Sequence, residues 1–198
     1  MMYPLAKRIK DFANYLIIDL PGNENLKLEK VYNIDDYLNY INKIIERYNF
    51  VPDIIVGHSF GGKLASFYAL NHDVTLLLLA PSTIKPSFSL KRIKIIKNIP
   101  TFLKGSRDYQ ASSGVDRLTF LNIVHAYLDK KDLRKLSNDI YIVYGNNDQE
   151  ITYKQMLKLK KYSQKSHLIV INGDHFAYLL NVNAIANLLL EIIKEENA

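Results

Sequence analysis

Ile54-Ile55-Val56-Gly57-His58-Ser59-Phe60-Gly61-Gly62-Lys63 is the stretch on which the fold turns. Three β-branched residues without polar alternation read as a strand buried on both faces. Lys63 to Leu70 reads as a helix that begins directly afterwards. Between the two, Gly57 to Gly61 fits the pattern G-x-S-x-G, and Gly62 extends it. A serine on such a strand-to-helix turn is held in a strained backbone, with its hydroxyl exposed at a helix N-terminus that favours developing negative charge. Glycines beside it relieve the crowding. The five positions alone recur by chance and would equally describe a glycine-rich turn capped by serine. The strand before and the helix after favour a nucleophile.

Working outward, four more apolar runs read as buried parallel strands: Tyr15 to Leu20, Thr75 to Ala80, Ile140 to Tyr144 and His167 to Ile171, with Asp53 to Val56 as the strand before the serine. Helical spacing is predicted over Pro4 to Asn14, Ile34 to Tyr48, Phe60 to Leu70, Thr152 to Tyr162 and Asn183 to Lys194. Asn33 is placed to cap the second of these, and Asp35 and Asp36 suit its N-terminal dipole. Strand and helix alternate, so the fold class is α/β, a mostly parallel sheet with helices on both faces. Between Ala80 and Ile140 lie too many residues for one crossover. Residues 81–137 therefore read as a helical insertion, a small lid over one end of the sheet, with helices at Lys91 to Asn98 and Val115 to Leu128. No linker or repeat divides the chain, and residues 1–198 read as one domain.

Composition narrows the function classes. The 198 residues are 48% apolar, enough for a core without staples, and include no cysteine. Disulfides, thiolate metal sites and cysteine nucleophiles are thereby excluded. Met1 to Phe12 is too charged for a secretory leader and no apolar run is long enough to span a bilayer, so a soluble, cytoplasmic protein is expected. The net charge of +6 comes without a nucleic-acid motif and reads as a lysine-rich surface. Seven basic residues and no acidic one lie between Lys85 and Arg107, interleaved with Ile93, Ile95, Ile96, Ile99 and Phe102. That pattern suits contact with an anionic membrane surface or steering of an anionic substrate. The favoured reading is an apolar cover whose lysines face water.

A serine hydroxyl needs a base, and the base needs an orienter. Of five histidines, His58 is inside the turn and more readily packs beside it, while His72, His125 and His167 read as structural or surface residues. His175, in Asn172-Gly173-Asp174-His175-Phe176 just past the last strand, is the candidate base. Asp148 follows the strand Ile140 to Tyr144 through Gly145-Asn146-Asn147 and is the candidate acid. Asp174 is its rival, but adjacent side chains diverge; Glu150 is a weaker rival. All three candidates lie beyond the carboxyl ends of predicted strands, where open α/β sheets bind their ligands. Six of the eight glycines lie there too.

With Gly57 to Gly62, Tyr144-Gly145-Asn146-Asn147-Asp148 and Gly173-Asp174-His175 in place, the chain resembles the α/β-hydrolase superfamily, and within it the small-lid, esterase-like members. Asp19-Leu20-Pro21-Gly22 resembles the family's turn after its fourth strand, and Gly105 to Gly114 a lid segment. The resemblance implies the α/β-hydrolase fold, the triad Ser59, Asp148 and His175, and the Phe60 N–H as an oxyanion donor. Two features depart from the family. After Gly22 the run is Asn23-Glu24-Asn25-Leu26, without the usual second glycine and serine. The strands that normally precede the first helix, and the loop supplying the second oxyanion donor, have no counterpart before Pro4. Loss of one donor costs about 10²–10³ in rate.

The resulting expectation is a serine hydrolase cleaving a small carboxylic ester or related acyl compound, with no metal or organic cofactor. The same triad serves thioester cleavage, carbon–carbon hydrolysis and perhydrolysis, and these stay open. The alternative is a hydrolase-fold binding protein with a weak or inactive site. Substrate and oligomeric state are not legible from the sequence.

Overall fold

The computed structural model describes residues 2–23, 26–86, 114–137 and 139–196. The predicted helix Lys91 to Asn98, most of the basic stretch and the segment Gly105 to Ser113 lie outside these residues. Four strands form one parallel sheet: β1 (Ile54–His58), β2 (Thr75–Leu79), β3 (Asp139–Gly145) and β4 (Lys165–Ile171), in the order β1-β2-β3-β4. Register runs from Ile54 opposite Thr75 through Leu76 opposite Ile140 to Tyr141 opposite His167. The described helices are α1 (Tyr3–Ile9), α2 (Ile34–Arg47), α3 (Phe60–Tyr68), α4 (Gly114–Val124), α5 (Lys130–Leu133), α6 (Tyr153–Tyr162), α7 (Ala177–Leu180) and α8 (Val182–Glu196).

The period of two in the strands sorts their side chains into two cores. Leu76, Leu78, Ile140, Ile142 and Tyr144 meet Ala65 and Tyr68 of α3, Leu133 of α5 and Met156 and Leu159 of α6. Leu77, Leu79 and Val143 face the other way, onto Leu5 and Ile9 of α1, Tyr178 of α7 and Ile185, Leu189 and Ile192 of α8. Helices thus cover both faces. The four leucines of β2 are 0–1% exposed, and each contributes about 1.5–3 kcal/mol by burial. β2 is thus a fully buried inner strand, paired with β1 on one side and β3 on the other.

Helix α2 begins as its sequence predicts. Asn33 accepts the Asp36 N–H at 2.9 Å and Asp36 accepts the Asn33 N–H at 3.0 Å, a reciprocal capping box.

One predicted strand is not there. Tyr15 to Leu20 belongs to none of the strands, and among the described residues β1 pairs on one side only, with β2. The apolar run was evidence of burial, and Leu16, Ile17 and Ile18 are indeed half-buried. Pairing needs a partner strand as well, and none lies in register with it. The first helix is also shorter than predicted, ending at Ile9.

Candidate functional site

Three chain segments end together at the carboxyl edge of the sheet. The first is the turn from β1 into α3. Ser59 has φ 49° and ψ −110°, a left-handed conformation that costs a residue with a side chain about 1–3 kcal/mol. Its backbone is held from three directions. The Ser59 N–H donates to Leu79 O at 2.9 Å, and its carbonyl accepts from Lys63 N–H at 3.0 Å and Ser82 N–H at 3.1 Å. Gly57 is required where strand and helix cross, since a Cβ there would stand 2.5 Å from Gly61 O. The Ser59 hydroxyl makes no hydrogen bond to the amides that open α3. It is half-exposed, at the positive end of the helix. Phe60 N–H is the first amide of that helix and so has no intrahelical acceptor.

The second and third segments are the turns after β3 and β4, pressed against each other. Asn146 N–H donates to Ile171 O and Asn147 N–H to Gly173 O, both at 2.9 Å. A Cβ on Gly145 would lie 2.2 Å from Asp174 O, so glycine is needed for this approach. The outcome is a buried hydrogen-bonded pair: His175 Nδ1 donates to Asp148 Oδ2 at 2.8 Å. The other carboxylate oxygen of Asp148 accepts Glu150 N–H at 2.8 Å and Ile151 N–H at 2.9 Å, which fixes the direction of the carboxylate.

Burial alone would lift the Asp148 pKa. The hydrogen bonds from His175, Ile151 and Glu150 outweigh it and hold the carboxyl below its usual range. For His175, burial pushes the pKa down, but the bond and charge of Asp148, with the charges of Glu150 and Asp174, leave it raised. Asp174 does not compete for Nδ1: its carboxylate accepts the Phe176 N–H at 2.8 Å in its own turn. Glu150 Oε2 lies 3.6 Å from the opposite ring nitrogen, Nε2.

His58 joins the first segment to the third. Its Nε2–H donates to His175 O at 2.9 Å, and its ring lies 4.7 Å from the His175 ring and 4.8 Å from that of Tyr178. Burial pushes its pKa down to about 4, so it stays neutral and keeps that donor. The packing expected for His58 is there, but its bond to the His175 backbone had no sequence signal. The other histidines are exposed, His72 stacked on Tyr68 and His167 on Tyr141. Asp148 and His175 are therefore brought into direct contact. Ser59 is brought to the same edge through its neighbour His58, without a hydrogen bond between its hydroxyl and His175 among the described residues.

A second feature missed by the sequence is Lys63. It is 3% exposed, and its Nζ donates to Ile123 O at 2.9 Å and sits 4.5 Å from the Tyr127 ring centre. Burial pushes its pKa down to about 8. A lysine one turn into a helix carries no pattern that would announce burial.

A parallel sheet whose strand ends carry a strained serine turn and a buried Asp–His pair defines a hydrolase of the α/β type. The chain belongs to the alpha/beta hydrolase family, whose profile matches residues 2–186. Solved structures agree in fold. An esterase from Exiguobacterium antarcticum superposes with a TM-score of 0.76 at 17% identity, over 98% of this chain and 86% of that one. A meta-cleavage product hydrolase from Pseudomonas fluorescens gives 0.75 at 16%, over 98% and 85%. MenH from S. aureus gives 0.68 at 18%, over 98% and 90%. No curated protein sequence matches the chain. Among the described residues no helix is long and apolar enough to cross a membrane.

Proposed function

We propose that this chain is a serine hydrolase that cleaves a small carboxylic ester or related acyl compound. The observation that carries the reading is the buried 2.8 Å His175–Asp148 contact, tied through His58 to the turn that bears Ser59. Ser59 Oγ attacks the acyl carbon as His175 Nε2 takes its proton, and Asp148 holds Nδ1–H and balances the imidazolium. Phe60 N–H, with the positive end of α3, meets the oxyanion. His175 then protonates the leaving alcohol. Water, deprotonated by the same nitrogen, releases the acid from Ser59 and restores the enzyme. Residues 81–137 act as the lid, and a reducing cytoplasm suits a chain without cysteine.

A fluorophosphonate probe tests the reading directly. Labelling that maps to Ser59 and disappears in Ser59→Ala supports it; folded protein that takes no label refutes it. One observation favours a second reading, a hydrolase-fold binding protein with little turnover. β1 has an open outer edge among the described residues, next to the nucleophile, and Phe60 N–H is the single oxyanion donor assigned. Absent labelling together with tight binding of an acyl compound would select it. Related folds serve a meta-cleavage product hydrolase and an enol-lactonase, so a panel of esters, thioesters, lactones and diketones decides the reaction.

A further inference from the structure

Catalysis as proposed requires His175 Nε2 to meet the Ser59 hydroxyl, and in the structure a carboxylate stands within ion-pair range of that nitrogen. Glu150 Oε2 stands 3.6 Å from it, while Nδ1 is held by Asp148. The Glu150 N–H is fixed by Asp148 Oδ1 at 2.8 Å, so the residue that orients the ring from one side also sets the backbone of the residue that meets it on the other. The Glu150 side chain is 62% exposed and that of His175 is 6% exposed, so the carboxylate covers the ring from the solvent side. Among the described residues no other group hydrogen-bonds to Nε2. His58 is neutral, donates to the His175 carbonyl and packs on the Tyr178 ring; Phe176 lies edge-on to the His175 ring; Asp174 is turned to the Phe176 amide.

We infer that Glu150 is a positioning residue whose carboxylate engages His175 Nε2 in the resting site, so that the ring must exchange Glu150 for Ser59 before it can act as base. The inference rests on the triad reading above. Its chemistry is a single proton: carboxylates at both nitrogens favour the protonated ring, and loss of the Nε2 proton to solvent leaves Nδ1–H on Asp148 and a free lone pair for the Ser59 hydroxyl. Substrate entering beside Ser59 displaces an exposed side chain and not a buried one. Glu150 thereby sets the pH at which the site becomes competent, without touching the acyl group.

The test is Glu150→Gln, which keeps the shape and removes the charge, read first by NMR titration of the His175 ring. Removal of one exposed charge at contact distance lowers the ring pKa by about 0.5 pH units, and the shift shrinks in high salt. The acid limb of kcat/KM moves down by the same amount. At pH values below it, turnover relative to the plateau rises about threefold. Glu150→Ala gives the same direction, and Asp174→Asn a smaller shift. A His175 titration that is unchanged or moves upward in both Glu150 variants overturns the inference, whatever the activity. Failure of the triad reading is separate: it shows as absent fluorophosphonate labelling of Ser59 while the NMR shift still appears.

Discussion

Asp148→Asn isolates the orienting carboxylate with little change of volume. Asp148 accepts three hydrogen bonds, two at Oδ1 from the Glu150 and Ile151 amides and one at Oδ2 from His175 Nδ1. Asparagine has one acceptor oxygen and one donor nitrogen. If the oxygen keeps the two amides, the NH₂ faces Nδ1, which must then accept. His175 becomes the Nε2–H tautomer, without a lone pair for the Ser59 proton. If the amide flips, the His175 bond survives but both amides face a donor, and the turn at Glu150 loses its anchor. Keeping two bonds is better than keeping one, so the first arrangement wins and the wrong tautomer dominates. Ester turnover should fall about 10⁴-fold, the scale for a triad held in the wrong tautomer. Stability should fall by about 1–3 kcal/mol, for a charge-assisted bond lost at a buried site. Asp148 is held below its usual pKa, so its contribution is present above the unfolded carboxylate pKa and is lost as pH falls through the folded one. The variant should therefore show a flatter loss of Tm in acid than the wild type. Initial rates on a short-chain ester and Tm against pH make the measurement. Turnover within tenfold of wild type, or equal damage from Asp174→Asn, would refute the assignment of the acid.

Further outcomes follow from single contacts. Ser59→Ala should abolish hydrolysis with Tm nearly unchanged, whereas Ser59→Gly should be equally inactive but more stable by about 1 kcal/mol, because only glycine accepts φ 49° without strain; thermal unfolding of the pair separates the two effects. Lys63→Met should be neutral or stabilising at pH 7, since no carboxylate faces the buried ammonium among the described residues. The wild-type lysine binds its proton more weakly folded than unfolded, so wild-type stability should rise between about pH 8 and 10.5, and urea midpoints for Lys63→Met should lack that rise. Gly145→Ala should force the turn after β3 off the Asp174 carbonyl, loosening Asp148 from His175; a normal Tm with normal turnover would contradict the packing.

What could be read from the sequence was whatever depends on short range. The strand, turn and helix around Ser59 announce themselves by adjacency, and the Asn33 cap by its place just before a helical run that opens with Asp35 and Asp36. Asp148 and His175 are 27 residues apart yet legible, because each follows an apolar run that had to be a strand, and parallel strands deliver their ends to one edge. The contacts that orient them were not legible. Nothing in Asp148-Gln149-Glu150 says that the backbone amide of Glu150 turns back onto Asp148 while its carboxylate reaches the far side of the ring. Nothing marks His58 as the donor that fixes the His175 backbone, or Lys63 as buried under Ile123 and Tyr127. These depend on turns meeting across the sheet edge, which periodicity does not encode.

The misread strand shows the same limit from the other side. Tyr15 to Leu20 has the composition of a strand, but a strand exists only as one half of a ladder, and composition does not name the other half. Among the described residues β1 consequently has parallel support from β2 alone. A nucleophile at the end of an edge strand would be poorly held if that strand were its only support. The Ser59 backbone is instead fixed from within: its N–H on Leu79 of the fully buried β2, its carbonyl on the amides of Lys63 in α3 and Ser82 just past β2. Ala80, beside these contacts, has φ 44°, so the chain leaving β2 bends as sharply as the chain leaving β1. The two bends lock together, and the strain at Ser59 is held by the centre of the sheet and not by its open edge.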